Sequence, residues 1–315
     1  MPRIFAIGAL VYDIVFDVPD WVAPNRAVHA RQVTRSPGGK ALNQATAARR
    51  LGAEDIRLVG CVGDDVFGAE MLGALRREGV NVDQVRQLSG SGTSIAGIVV
   101  KDGVPGFIGA PCASRLVSDE HIRQALVELA SGDILLLDFE IPQPQVMFAL
   151  RLGRAAGATT VLNPAPFFTR DAFVVDYLQL VDVIIPNKLE AQLLLDSKSD
   201  DHDELASGLL RHGIGTVVLT IGEAGSILYQ ADWRSEQPAF KLAAVDTTGA
   251  SDAFVGAFCL GLSLGWQMRK TLVFASAAAG LACTRPGTMS ALPSLEEVRE
   301  LMASRQSACS LAGPA

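Results

Sequence analysis

Apolar positions along the chain fall into short runs separated by stretches with helical spacing. Ile4–Ile7 is one such run, stopping at Gly8; Ile56–Val62, Ile134–Leu137, Thr160–Leu162, Val183–Ile185, Val217–Thr220 and Ser226–Tyr229 are others. Runs this short and this apolar predict strands buried on both faces. Between them, Asn43–Leu51, Phe67–Arg77, His121–Leu129 and Gln145–Ala156 repeat their apolar residues at helical intervals, the second ending at Gly79. Strands alternating with helices predict an α/β protein whose mainly parallel sheet is covered on both faces.

Two segments break this rhythm, approximately 13–36 and 93–110. They contain the β-type stretches Ala27–Thr34 and Ser94–Val100, with turn signals at Lys101-Asp-Gly and Val104-Pro-Gly. Their alternation predicts a small separate sheet inserted as a lid into a single domain spanning 1–315; a pair of long surface loops is the plainer alternative.

Composition narrows the class. With 315 residues, 49% hydrophobic and 19% charged, the chain has enough apolar material for a substantial core. A net charge of -7 argues against broad binding to nucleic acid or an anionic membrane, yet local amides and a metal ion still suffice to hold a phosphate. The cysteines at 61, 112, 259, 283 and 309 form no CxxC pair, as expected of reduced thiols in the cytoplasm. No apolar stretch approaches membrane-span length, and Ile4–Phe16 lacks the charged start and cleavage site of a signal peptide. A cytoplasmic protein is the expectation.

Four local features offer chemistry. In Asp246-Thr-Thr-Gly-Ala-Ser-Asp252, small residues at Gly249, Ala250 and Ser251 lead into an apolar helical run. Unpaired N–H groups at a helix start suit a phosphate, and an acid there is a base for an alcohol beside it. The plainer reading of Asp252 is an acid favoured by the helix dipole. Pro37-Gly-Gly39-Lys40-Ala-Leu-Asn43 lets backbone approach a ligand closely and adds two polar groups, or is merely a tight strand-to-helix turn. Asn187 and Glu190, in Pro186-Asn-Lys-Leu-Glu190, suit a hydrated Mg²⁺ or simply cap a helix. Leu219-Thr220-Ile-Gly222-Glu-Ala-Gly225 is a strand and glycine turn fit for a nucleotide phosphate, or an ordinary hairpin. Missing are the P-loop, the dinucleotide Gly-x-Gly-x-x-Gly after the first strand, and the hydrolase Gly-x-Ser-x-Gly.

The order of these motifs, together with Gly8-Ala-Leu-Val-Tyr-Asp13, Val62-Gly-Asp-Asp-Val-Phe-Gly68, Asn163-Pro-Ala-Pro166 and Thr284-Arg-Pro-Gly287, resembles the ribokinase-like (PfkB) carbohydrate kinases along nearly the whole chain. The resemblance implies a three-layer α/β/α sandwich with a β-sheet lid, often shared across a homodimer. It implies ATP-dependent phosphorylation of a primary hydroxyl of a small sugar, with ATP and Mg²⁺ as cofactors and K⁺ as a further one. By the same resemblance, Asp252 is the catalytic base, and Gly249, Ala250, Ser251 and Asp252 form an anion hole. Asp13, Gly39, Lys40, Asn43 and Glu140 face the sugar; Asn187, Thr220, Gly222, Gly225 and Gly249 face the nucleotide; Glu190 belongs to the Mg²⁺ network. Asp246, Thr248, Ala282, Arg285, Gly287 and Ala291 surround a monovalent cation.

Three departures bear on substrate. Val11 stands where ribokinases offer an asparagine, Ser251 replaces the usual glycine of the anion hole, and Ala41-Leu42 replaces Gly-Ala. A nucleoside or pseudouridine-type kinase is the alternative within the family. A catalytically weak sugar- or nucleotide-binding protein is the alternative outside it.

Overall fold

The computed structural model of the chain describes residues 2–166 and 175–311. In order, its elements are β1 (Ile4–Ile7), β2 (Val11–Asp17), β3 (Gln32–Gly38), α1 (Lys40–Arg50), β4 (Ile56–Gly63), α2 (Val66–Glu78), β5 (Asn81–Leu88), β6 (Ser94–Lys101) and β7 (Val104–Ala110). Next come α3 (Asp119–Ala125), β8 (Ile134–Asp138), α4 (Gln143–Ala156), β9 (Thr159–Asn163), β10 (Val183–Ile184), α5 (Lys188–Leu195), α6 (His202–Arg211) and β11 (Thr216–Thr220). The last are β12 (Ser226–Gln230), β13 (Trp233–Gln237), α7 (Ala250–Ser263), α8 (Met268–Ala282) and α9 (Leu295–Leu311).

The main sheet has the order β13-β12-β11-β10-β9-β8-β1-β4-β5 and is parallel from β11 to β5; at one edge β12 pairs antiparallel with both β11 and β13. Its pleat sorts the apolar strands into two layers. Ile4, Ala6, Ile134 and Leu136 face one way, onto α1, α2, α7 and α8, while Phe5, Ile7, Leu135 and Leu137 face α3, α4, α5 and α6. This is the three-layer arrangement expected. Among the described residues, no helix is long and apolar enough to cross a membrane.

The second sheet has the order β3-β2-β6-β7. Its boundaries differ from the expected ones at several points. Its first strand begins at Val11, two positions before the expected segment, and its second is Gln32–Gly38; residues 27–31 of the expected strand Ala27–Thr34 lie outside it. The turn joining β6 to β7 is Asp102-Gly103, both at positive φ, as a tight hairpin requires. Val104-Pro-Gly, expected to turn, instead opens β7; this is an edge strand, where proline costs no ladder bond on its open side. Elsewhere α3 ends at Ala125 rather than Leu129, and Ser226–Tyr229 belongs to the antiparallel edge hairpin.

Helix α7 is apolar around its whole circumference and buried almost throughout, which makes it a core helix. It lies hard against α1 at Gly256, where a Cβ would fall 2.5 Å from the Gln44 carbonyl oxygen and 2.7 Å from the Ala47 Cβ. We therefore expect Gly256→Ala to force the two helices apart. Overpacking of this kind costs ~1–3 kcal/mol, offset in part by the ~0.5–1 kcal/mol that alanine gains over glycine in a helix. A urea midpoint lowered together with turnover would support this; an unchanged midpoint would refute the close-packing argument.

Candidate active site

The carboxyl ends of β1, β8, β9, β10 and β11 open on one side of the main sheet, beneath the second sheet. From β1 the chain proceeds to β4 and β5 on one flank, and β8 begins the other. Adjacent strands whose connections diverge leave a crevice at their carboxyl ends, the usual ligand position in open α/β sheets.

Two helix starts enter this crevice. Gly39, at φ 95, precedes α1; a Cβ there would stand 2.6 Å from the Ala9 carbonyl oxygen, so only glycine brings the end of β3 this close to the end of β1. Helix α1 then presents Lys40, Asn43 and Gln44 at spacings that share one face. All three converge on Asp252, in the first turn of α7 and only 5% exposed. Asn43 Nδ2 donates to Asp252 Oδ2 at 3.1 Å, Gln44 Nε2 donates to Oδ1 at 3.0 Å, and Lys40 Nζ lies 3.5 Å from Oδ1. Gln44 Nε2 also donates to Asn163 Oδ1 at 3.0 Å, and Asn163 Nδ2 donates to the Ile185 carbonyl at 2.8 Å.

Further carboxylates crowd the crevice around Lys40. Glu140 Oε2 accepts the Lys40 N–H at 2.7 Å, and Asp138 Oδ1 accepts the Glu140 N–H at 2.8 Å. Gly38 and Gly8 make room for acids: a Cβ at Gly38 would fall 2.2 Å from Asp13 Oδ2, and one at Gly8 2.0 Å from Asp138 Oδ2. Burial pushes Asp13 up to about 6, against a bond from the Thr288 hydroxyl that favours the charged form. Burial pushes Glu140 up to about 7, opposed by the Lys40 charge. It also holds Asp138 well above the usual carboxylate range, helped by the neighbouring Glu140 charge. Burial by itself lowers the pKa of Lys40, but the charges of Asp252 and Glu140 more than offset this, so the ammonium is retained. Asp138 Oδ2, Asn43 Oδ1 and Gln44 Oε1 are buried without a hydrogen-bond partner in the protein.

Beyond Lys40 is a cavity of about 210 Å³ lined by Lys40, Asn163, Ala165, Pro166, Ile185, Asn187, Glu190, Thr220, Ser251 and Val255. Asn187 and Glu190 also close a capping box at the start of α5, each side chain accepting the other's backbone N–H at 2.9 Å. The plainer reading of this pair thus holds alongside the site reading, because one Glu190 oxygen caps the helix while the residue borders the cavity. Burial raises the Glu190 pKa above its ordinary value. At α7 the Ala250 N–H, expected in the anion hole, donates to the Thr247 carbonyl at 3.2 Å, whereas the first intrahelical bond runs from Ala253 to Gly249. The Ser251 and Asp252 N–H groups therefore carry the anion-binding character of this helix start. Gly249, at φ 88, sets the turn before them. Gly222 lies exposed just beyond Thr220, and Gly225, at φ 108, closes the turn against residues 237–239, where a Cβ would meet the Gln237 carbonyl oxygen at 2.1 Å.

Behind α7, Asp246 ties two loops together. Its carboxylate accepts the Thr248 N–H and the Gly287 N–H, both at 2.9 Å, and the Val245 and Asp246 N–H groups donate to the Cys283 carbonyl. Burial works against its charge, but these bonds hold its pKa below the ordinary carboxylate range. Arg285 is engaged by Glu297, and Ala282 and Ala291 are fully buried. Among the described residues, no group of three or more His, Cys, Asp and Glu side chains converges to hold a metal. A cation here would be bound mostly by backbone, water or phosphate oxygens.

Four residues of this arrangement received no role from sequence: Gln44, Asn163, Asp138 and Thr288. Gln44 was within reach, since it follows Lys40 by four positions on a helix whose polar face was already suspect. Asp138 and Thr288 carry no local signal; only the fold brings them in.

Comparison with known proteins agrees with this geometry. The pattern of the pfkB family carbohydrate kinases matches residues 1–295. Ribokinase of Schizosaccharomyces pombe is 31% identical over 311 residues, covering 95% of this chain and 97% of that protein. The crystal structure of ribokinase from Thermotoga maritima superposes with a TM-score of 0.88 at 28% identity, covering 96% of this chain and all of that one. Arabidopsis thaliana ribokinase, solved in complex with ribose and ATP, superposes at 0.85 with 25% identity over 96% of this chain and 98% of its own. Fold and site together define an ATP-dependent sugar kinase. The chain belongs to the pfkB family of carbohydrate kinases, on its ribokinase-like branch.

The raised Glu140 makes a testable claim about stability. Its folded pKa of about 7 exceeds the ordinary 4.5, so the folded state retains a proton that the unfolded state has lost between these values. Stability must therefore fall as pH rises through that window. Glu140→Gln keeps an acceptor for the Lys40 N–H and removes the titration. Relative to wild type, its melting temperature is expected to match near pH 4.5 and to be a few degrees higher near pH 8. A difference that is constant with pH would show that Glu140 is not the source.

Proposed function

We propose that the protein transfers the γ-phosphoryl group of ATP to a primary hydroxyl of a small free sugar, a pentose such as ribose, with Asp252 as the base. The observation carrying this reading is the position of Asp252. It is clamped between a sugar-side group of Lys40, Asn43, Asp13 and Glu140 and a phosphate-sized cavity bordered by Asn187, Glu190, Thr220 and Ser251. An ionised acid at a helix start, next to unpaired amides, accepts a proton where negative charge develops on a phosphoryl group.

The residues divide the work as follows. Asp13, Asn43 and Glu140 orient the sugar through its hydroxyls. Asp252 takes the proton of the attacking hydroxyl, and the Ser251 and Asp252 N–H groups with Lys40 stabilise charge on the transferring oxygens. Asn187, Glu190 and Thr220 are suited to the hydrated metal and phosphates of the nucleotide, where Mg²⁺ would neutralise phosphate charge. The Asp246 loop, with carbonyls from 246–248 and 282–287, is suited to a monovalent cation such as K⁺, which would fix the loop carrying Gly249. Closure of the smaller sheet over the sugar would exclude water and suppress wasteful ATP hydrolysis.

Asp252→Asn should cut turnover by about three orders of magnitude or more, since it removes the base, while calorimetric ATP binding stays within a few-fold of wild type. Near-wild-type turnover would remove Asp252 from the mechanism. The substrate is read by ATP consumption over a panel of pentoses, hexoses, sugar acids and nucleosides, with and without K⁺. Fastest turnover on a free pentose is expected. A nucleoside preferred over every free sugar would redirect the reading within the family, and no turnover on any compound would overturn it.

The same reading extends to a homodimer through the smaller sheet. Phe107 is 70% exposed, Ile108 67%, Val104 58% and Val33 48%, all on its strands, more apolar surface than an isolated sheet ordinarily leaves to water. Light scattering is expected to give about twice the 33.3 kDa chain mass; a monomer at micromolar concentration would exclude the dimer.

A further inference from the structure

The amide network around Asp252 has only one consistent polarity. The Ile185 carbonyl accepts and cannot donate, so Asn163 must turn its Nδ2 toward it, at 2.8 Å. This leaves Asn163 Oδ1 facing Gln44, which must therefore present its NH₂ group, at 3.0 Å. The same NH₂ group reaches Asp252 Oδ1 at 3.0 Å. A main-chain carbonyl at the end of β10 thus dictates, through two side chains, that Asp252 Oδ1 be an acceptor. Gln44 is fully buried and Asn163 3% exposed, so water does not compete for these bonds.

An ionised carboxylate has roughly four acceptor positions, two on each oxygen. Oδ1 has both occupied, by Gln44 Nε2 and by the Lys40 ammonium; Oδ2 has one occupied, by Asn43 Nδ2. One position remains, and it is on Oδ2. We propose that Oδ2 of Asp252 is the atom that takes the substrate proton, and that Gln44 is the positioning residue that directs it there by saturating Oδ1. The inference rests on Asp252 being the base. In the step itself the substrate O–H bond breaks, its proton goes to Oδ2, and the freed oxygen pair forms the bond to the γ-phosphorus. The bond from that phosphorus to the β–γ bridging oxygen breaks, and its electron pair leaves with ADP.

Two variants of the full-length protein test this, assayed with ATP and the sugar that wild type phosphorylates fastest. Gln44→Leu removes the donor while keeping volume. The carboxylate is then free to rotate and to offer Oδ1, so kcat should fall by about 10–100-fold, as for a misplacement of about 1 Å, with both KM values within about three-fold. Gln44→Glu sets a second carboxyl 3.0 Å from two acceptor oxygens. Two acids at this distance share a proton, so the acid limb of the kcat–pH profile should move upward by about one unit or more, with activity recovering as pH rises.

In Gln44→Leu the acid limb should also rise, because a donor to the ionised carboxylate is gone, whereas a residue that serves only packing would depress kcat equally at all pH values and leave that variant's limb in place. A Gln44→Glu profile parallel to wild type, or a Gln44→Leu enzyme with wild-type kcat, overturns the proposal. If Gln44→Leu fails to fold, the decision passes to the Gln44→Glu profile, read as the position of its acid limb relative to that of wild type. A wild-type protein that phosphorylates nothing on the panel would sink the proposed function instead, an outcome distinct from either variant result.

Discussion

The structure depends on keeping one carboxylate, Asp252, buried and oriented at the junction of α1 and α7. Burying a charge costs several kcal/mol unless hydrogen bonds and counter-charge replace the lost water. Asn43, Gln44 and Lys40 replace it from a single helix face, and that face must lie within hydrogen-bond reach of the first turn of α7. Several small residues follow from this demand. Gly256 removes the side chain that would hold the helices apart one turn below the acid. Gly39 starts α1 at the one place where Lys40 can reach both Asp252 and Glu140. Gly249 starts α7 with a left-handed residue, so that its first free amides and the acid share one turn.

Charge balance is the second constraint. Asp13, Asp138, Glu140 and Glu190 all have pKa values raised by burial, and all but Asp13 owe part of their remaining ionisation to Lys40. Burial thus pushes these four acids toward the neutral form, while Asp252 is held by three donors. A polyhydroxylated ligand suits such a place, because each sugar hydroxyl can both donate to an ionised acid and accept from a protonated one.

Much of the fold was legible because strands buried on both faces must be continuously apolar, and Ile134–Leu137 or Val217–Thr220 have no other comfortable placement. The smaller sheet was harder to delimit. Its strands are half exposed, so β2 merged with the apolar start of the chain, and Pro105-Gly106 signalled a turn where an edge strand tolerates both residues. For the site, glycine turns and an acid at a helix start marked the general location but not the partners. Asn163 and Gln44 are 119 positions apart and meet only because β9 ends where α1 begins. Gly225 adds a packing demand that the motif does not announce: only a glycine clears the Gln237 carbonyl oxygen beside it.

The site draws on Gly8 and Asp13, on Gly38 to Gln44, on Asp138 to Glu140, and on Asn163, Asn187, Thr220 and Asp252, with Thr288 closing against Asp13. The acid that completes it arrives four-fifths of the way along the chain. During synthesis, the sugar-facing half would therefore emerge from the ribosome long before the base. A chain that ends before α7 leaves the layer of Ile4, Ala6, Ile134 and Leu136 without its core helix. The helix that brings Asp252 also completes that layer, so packing of the core and closure of the polar crevice are one event.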